Sequence, residues 1–307
     1  MRKSAFQRVG LVIALSLAFA GCSKQEPAGT TAAQAASAPS APAEGAPRIV
    51  TSGDGVHIEY HVHGSGDPAV ILVHGWSCDG NYWSKQIDAL KAKYTVVTVD
   101  LAGHGASGRN RTDWSIGNFG EDVASVARQL QNSRIVLVGH SMGAPVALEA
   151  TRRIGDRVLG VIAVDSLKTI GEPSPTEAQI QLRLKPFREN FIEHTREYVS
   201  STFFAPGTDP AFVSKVAYDM SLEPPEIAVP VLEALARMDY AQLLPDIHVP
   251  VVAINSDRAP VNEDRIRKAL PDFKAITLEN TGHFLMMEAP ERFNPILLEE
   301  IEALAHR

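Results

Sequence analysis

The chain has 307 residues, 45% of them hydrophobic and 21% charged, enough apolar material for one globular domain with a large core. Its formal net charge is -7, and an acidic chain without basic runs argues against nucleic acid as a partner and against electrostatic docking on anionic lipid.

Arg2, Lys3 and Arg8 precede an apolar stretch, residues 9–20, that is too short for a permanent membrane span and fits a secretory signal over residues 1–21. It ends Phe19-Ala20-Gly21-Cys22. Small residues before a cysteine resemble a bacterial lipobox, which predicts lipidation at Cys22, although Phe19 stands where leucine is usual. With Ser23 next, the resemblance favours the outer membrane of a Gram-negative cell, with the protein facing the periplasm. The alternative is an ordinary signal cut near Ala20 and a secreted or periplasmic protein. Residues 23–47 are rich in Ala, Pro, Ser and Thr and contain no aromatic or branched aliphatic residue, so they cannot bury a core and read as a tether to a globular part at 48–307. Losing the three signal cations takes the net charge to -10. Lipidation of Cys22 would leave Cys78 without a disulfide partner, as a free buried thiol.

Residues 49–62, around Ser52-Gly53-Asp54-Gly55, read as an antiparallel hairpin at a sheet edge. His57, Glu59, His61 and His63 alternate and share one face, while Val56, Ile58, Tyr60 and Val62 share the other, which is predicted to be buried. Histidines spread along a straight strand do not converge on one ion, so no metal is expected. Apolar runs at 69–73, 95–99, 134–138, 158–164, 249–254 and 273–278 read as further strands, separated from the second of these onward by helical stretches. That alternation predicts a mostly parallel sheet with helices on both faces.

The run at 134–138 leads into Gly139-His140-Ser141-Met142-Gly143. A Gly-x-Ser-x-Gly crossing from strand to helix holds a serine hydroxyl above the sheet on a turn so tight that a side chain at either glycine would collide with its neighbours. Ser141 is therefore the candidate nucleophile, provided Pro145 falls in the first turn of the following helix. A serine needs a base, an acid to orient it and donors for the oxyanion. His283, in Asn280-Thr281-Gly282-His283-Phe284 after the last strand, is the base, and His306 at the chain end is the other late candidate. For the acid, Asp257 follows the strand at 249–254 and is preferred. Asp165, which ends the preceding strand, is the alternative. Asp100 precedes the serine and reads as a structural cap on its own loop. The oxyanion donors are expected to be the N–H groups of Met142 and of Trp76, in His74-Gly75-Trp76-Ser77, with the Trp76 side chain walling the pocket.

Between 166 and 240 the strand pattern gives way to helical sequence broken at Pro173, Pro175, Pro206, Pro224 and Pro225. Its aromatic residues, Phe187, Phe191, Phe203, Phe204, Phe212 and Tyr218, together with Met220, are candidates either for an acyl or aryl pocket or for the interior of that helical segment itself.

These motifs, in this order, resemble the α/β-hydrolase fold over about residues 48–307. The likeness rests on His74-Gly75-Trp76, on residues 100–107 (Asp-Leu-Ala-Gly-His-Gly-Ala-Ser), on the Ser141 elbow, on Asp257 to Pro260, and on Gly282-His283-Phe284 through Glu288 to Phe293. Ala144 departs from the third glycine of many relatives. The resemblance implies a helical cap at 166–240 that selects the substrate, and a serine esterase or lactonase acting without cofactor through an acyl-enzyme on a small-molecule ester. Serine at the elbow argues against dehalogenase and epoxide hydrolase chemistry, and the missing His-Gly-Gly-Gly loop argues against tertiary-alcohol esters. Acyl transfer and C–C or amide hydrolysis are alternatives on the same triad. A non-catalytic binding lipoprotein is the other.

Overall fold

A computed structural model of the chain describes residues 43–307. The expected signal, Cys22 and most of the tether lie outside the described residues. The hairpin starts where the sequence leaves Pro47: β1 (Pro47–Thr51) pairs antiparallel with β2 (His57–His63). The chain is already tied down at Gly45, whose N–H donates to Val62 O at 2.9 Å and whose carbonyl meets His61 Nδ1 at 3.0 Å. Along β2, Ile58, Tyr60 and Val62 are buried while His57, Glu59, His61 and His63 face the other way, as the alternation requires.

The sheet has eight strands in the order β1-β2-β4-β3-β5-β6-β7-β8. After β2, the strands β3 (Ala69–Val73), β4 (Thr95–Val99), β5 (Ile135–His140), β6 (Val158–Val164), β7 (Val251–Ser256) and β8 (Phe273–Leu278) are parallel to one another. Residues of β3 and β5 are buried throughout. Unbroken apolar runs of this kind mark strands covered on both faces. The covering helices include α1 (Ser84–Leu90), α2 (Ile116–Gln129) and α3 (Gly143–Ile154).

Four helices, α4 (Glu177–Glu189), α5 (Phe191–Thr202), α6 (Pro210–Met220) and α7 (Pro225–Ala236), lie between β6 and β7. Pro173 and Pro175 fall between β6 and α4, Pro206 falls between α5 and α6, Pro224 is the N-cap of α7, and Pro225 takes its first helical position, where the missing N–H costs nothing. The short α8 (Tyr240–Leu243), α9 (Glu263–Arg267) and α10 (Leu285–Glu288) precede α11 (Pro290–Ala305), which contacts α1. No helix among the described residues is long and apolar enough to cross a membrane.

Candidate active site

At the end of β5 the backbone turns through Ser141, held at φ 52°. A non-glycine residue rarely occupies this left-handed region, and such strain gathers where a side chain must be presented. The two flanking glycines are required by space: a Cβ on Gly139 would overlap the carbonyl oxygen of Gly143, and one on Gly143 would overlap the carbonyl oxygens of Val73 and His74. Pro145 lies in the first turn of α3, as the elbow demands. The turn is fixed by Ser141 N–H donating to Val164 O at 2.9 Å and by Ser166 Oγ donating to Ser141 O at 2.8 Å.

His283 lies on the loop after β8, and its Nδ1 stands 2.6 Å from Asp165 Oδ2. The other oxygen of Asp165 accepts from Ser256 N–H at 2.9 Å and Ser256 Oγ at 2.8 Å, and pairs with Lys168 Nζ at 2.7 Å. Burial alone would raise the Asp165 pKa. The His283 hydrogen bond and charge, followed by Lys168, outweigh that and hold the carboxyl well below its usual range.

The structure therefore brings His283 together with Asp165, the alternative acid, and not with the preferred Asp257. Register is the reason. Val164 pairs with Ile254, which sets Asp165 level with Asn255, whereas β7 runs on to Ser256. Asp257 thus lies two residues farther along, roughly 6–7 Å at strand rise. It is exposed, and its Oδ2 accepts the N–H of Asn280 at 3.1 Å, fastening the loop that leads to His283. His306 caps the end of α11.

Ser141 and His283 line one cavity of about 250 Å³, together with Gly75, Trp76, Tyr198, Phe203 and Phe284. There is no hydrogen bond between Ser141 Oγ and His283 Nε2 among the described residues. Such bonds are often long without substrate and tighten when the reactant is bound. The N–H groups of Trp76 and Met142 have no protein acceptor among the described residues. Met142 is the N-cap of α3 and no side chain caps that helix, so the positive end of its dipole favours negative charge beside Ser141.

His74 fixes the loop that carries Trp76: its Nδ1–H donates to Gly75 O at 2.7 Å and its Nε2 accepts from Leu101 N–H at 3.0 Å. The Trp76 ring walls the cavity and also fastens the cap. Its Nε1–H donates to Ala228 O in α7 at 2.8 Å, and its ring meets Phe187 and Phe191 edge-on. His140 Nε2 lies 2.9 Å from His283 O. Because a carbonyl only accepts, His140 is the Nε2–H tautomer, and burial, with His283 beside it, lowers its pKa to about 3. It is a neutral prop under His283.

Glu288, which the sequence places in a motif without a role, supports the site. Its carboxylate accepts from Gly282 N–H at 2.9 Å, from Phe284 N–H at 3.1 Å and from Thr208 Oγ1 at 3.2 Å. It thus braces both sides of His283 and ties that loop to the cap. Phe203, from the end of α5, sets its ring 4.5 Å from the His283 ring, tilted by 37°. Phe203 and Met220 line the cavity. Phe187 and Phe191 instead pack against Trp76, while Phe204 packs on Phe212 and Tyr218 is exposed. Cys78 is buried and free, and burial keeps its thiol protonated. Among the described residues no group of three or more His, Cys, Asp or Glu could hold a metal ion.

The sequence profile of the alpha/beta hydrolase family matches residues 70–296. Over 246 residues the chain is 27% identical to a 3-oxoadipate enol-lactonase of Acinetobacter baylyi, covering 78% of this chain and 91% of that protein. It is 25% identical to a pimeloyl-[acyl-carrier protein] methyl ester esterase of Vibrio atlanticus, covering 76% and 94%. Among solved structures, a thermophilic esterase from Thermogutta terrifontis superposes with a TM-score of 0.73 at 24% identity, covering 85% of this chain and 99% of that one.

Proposed function

The chain belongs to the alpha/beta hydrolase family, and from that premise we propose that it is a serine hydrolase cleaving a small, uncharged carboxylic ester, with Ser141 as nucleophile, His283 as base and Asp165 as the acid that orients it. The observation that carries this reading is the 2.6 Å contact between Asp165 and His283, beside a serine on a strained elbow. His283 Nε2 takes the Ser141 hydroxyl proton as Oγ attacks the acyl carbon. The oxyanion is received by the N–H groups of Trp76 and Met142. Collapse of the tetrahedral intermediate expels the alkoxide, which takes the proton from His283. Water, deprotonated by His283 in turn, then releases the acid from Ser141. Asp165 holds the imidazole in the Nδ1–H tautomer throughout and stabilises its charged form.

The substrate class follows from the walls. Trp76, Tyr198, Phe203, Met220, Leu232, Leu235 and Phe284 surround Ser141, and among the described residues no Lys or Arg lines the cavity. An apolar acyl or aryl group of moderate size fits a space of about 250 Å³. The name of the Acinetobacter relative points to a carboxylate-bearing lactone, for which this cavity offers no cation. Membrane attachment through lipid on Cys22 remains part of the proposal on sequence grounds alone.

Fluorophosphonate labelling read by intact mass tests the mechanism. One adduct is expected on wild type and none on Ser141→Ala. A folded protein that gives no adduct with a small, unhindered probe would overturn the catalytic reading in favour of a binding role.

A further inference from the structure

We propose that Lys168 is a positioning residue for this reaction, its ammonium sharing the Asp165 carboxylate with His283 and so setting the pH at which the base comes into action. The inference rests on the triad proposed above. Asp165 Oδ2 serves His283 alone, whereas Oδ1 receives Ser256 N–H, Ser256 Oγ and Lys168 Nζ at 2.7 Å. The Lys168 side chain is only 15% exposed, so water screens this pair little. One carboxylate therefore faces two cationic partners whenever His283 is protonated.

The turn that delivers Lys168 is built for the purpose. Asp165 and Leu167 both lie in the left-handed region, at φ 45° and 62°, strain that persists only where the surroundings enforce it. Arg265, on α9, supplies that enforcement. Its Nη2 donates to Lys168 O at 2.7 Å, its Nε donates to Ile170 O at 2.9 Å, and it pairs with Glu172 at 2.9 Å. Ser256 O and Oγ, each 3.4 Å from Lys168 Nζ, close the other side. Around the same carboxylate, His140 stays neutral, Glu288 is occupied by Gly282, Phe284 and Thr208, and Asp257 bonds to Asn280 at the surface. Among the described residues, Lys168 is thus the cation in direct contact with Asp165 besides His283 itself.

A cation held against the carboxylate weakens the attraction Asp165 exerts on the His283 imidazolium. The charged form of the imidazole is then favoured less by its carboxylate partner. Removing the charge of Lys168 should retain protonated His283 to higher pH.

The test follows Ser141 labelling by a fluorophosphonate from pH 4.5 to 8.5 in wild type, Lys168→Met, Lys168→Gln and Lys168→Arg. The Met and Gln variants should move the acidic limb upward by about 0.5–1 pH unit. Labelling at pH 5.5 would then be roughly 3–10-fold slower while the rate at pH 8 stays within about threefold. Arg, which keeps the charge, should keep the wild-type limb. Gln retains a donor for Asp165 and serves if Met does not fold. A uniform loss of rate with the limb unmoved would assign Lys168 a merely structural part and overturn the proposal. Absence of labelling in wild type would instead remove the triad reading, and this inference with it.

Discussion

Asp165 and His283 are 118 residues apart in the chain, yet their side chains meet at 2.6 Å. Two neighbouring parallel strands, β6 and β7, each end in an acid pointing toward the same loop, and the pairing of Val164 with Ile254 decides between them. The contact leaves Asp257 to hold the backbone of Asn280.

Substituting the two acids should therefore have unequal effects. Asp165→Asn is expected to slow ester turnover and Ser141 labelling by about 10⁴-fold, since a neutral amide no longer fixes the imidazole tautomer. Asp257→Asn should change either rate by no more than a few-fold. Equal losses in the two variants would contradict the assignment.

Stability should fall as the medium is acidified from about pH 6.5 toward 3. Burial lowers the pKa of both His104 and His140 to about 3, below their value near 6.5 in the unfolded chain. In that interval the unfolded state binds more protons, so stability is full above 6.5 and is lost as pH drops, by up to about 1.4 kcal/mol per pH unit for each histidine. Glu223, raised to about 7 by burial, acts in the opposite sense between its unfolded value and 7. The His contribution is isolated by urea unfolding of wild type and His104→Phe at pH 4 to 7. The variant should show the shallower slope, and parallel slopes would refute the account.

The proposed backbone donation of Trp76 to the oxyanion and its side-chain bond to Ala228 O are separable by mutation. Trp76→Phe keeps the N–H but loses the bond to Ala228 O. Faster hydrogen exchange in α7 and a raised KM for apolar esters are expected, with the labelling rate of Ser141 within about tenfold of wild type. An unchanged exchange pattern would remove the latch.

Attachment of lipid is expected at Cys22. Full-length protein expressed in a Gram-negative host with labelled palmitate should carry the label, and Cys22→Ser should not. Label of equal strength in both would exclude that site.

The sequence by itself determined the motif-bearing loops. Gly139 and Gly143 mark the elbow because backbone atoms fill the space where a side chain would go, and that crowding is local enough to be written in five residues. The strand runs, the hairpin, the helical segment after β6 and the late position of His283 were legible for the same reason, as periodicity and turn chemistry act over short spans. What only the tertiary structure decided was which residues from distant segments converge: Asp165 over Asp257, Glu288 under the His283 loop, Lys168 on the carboxylate. Strand register set the first of these. A shift of two residues between adjacent strands moves a carboxylate by more than the length of a hydrogen bond, and neither strand carries that offset in its own sequence.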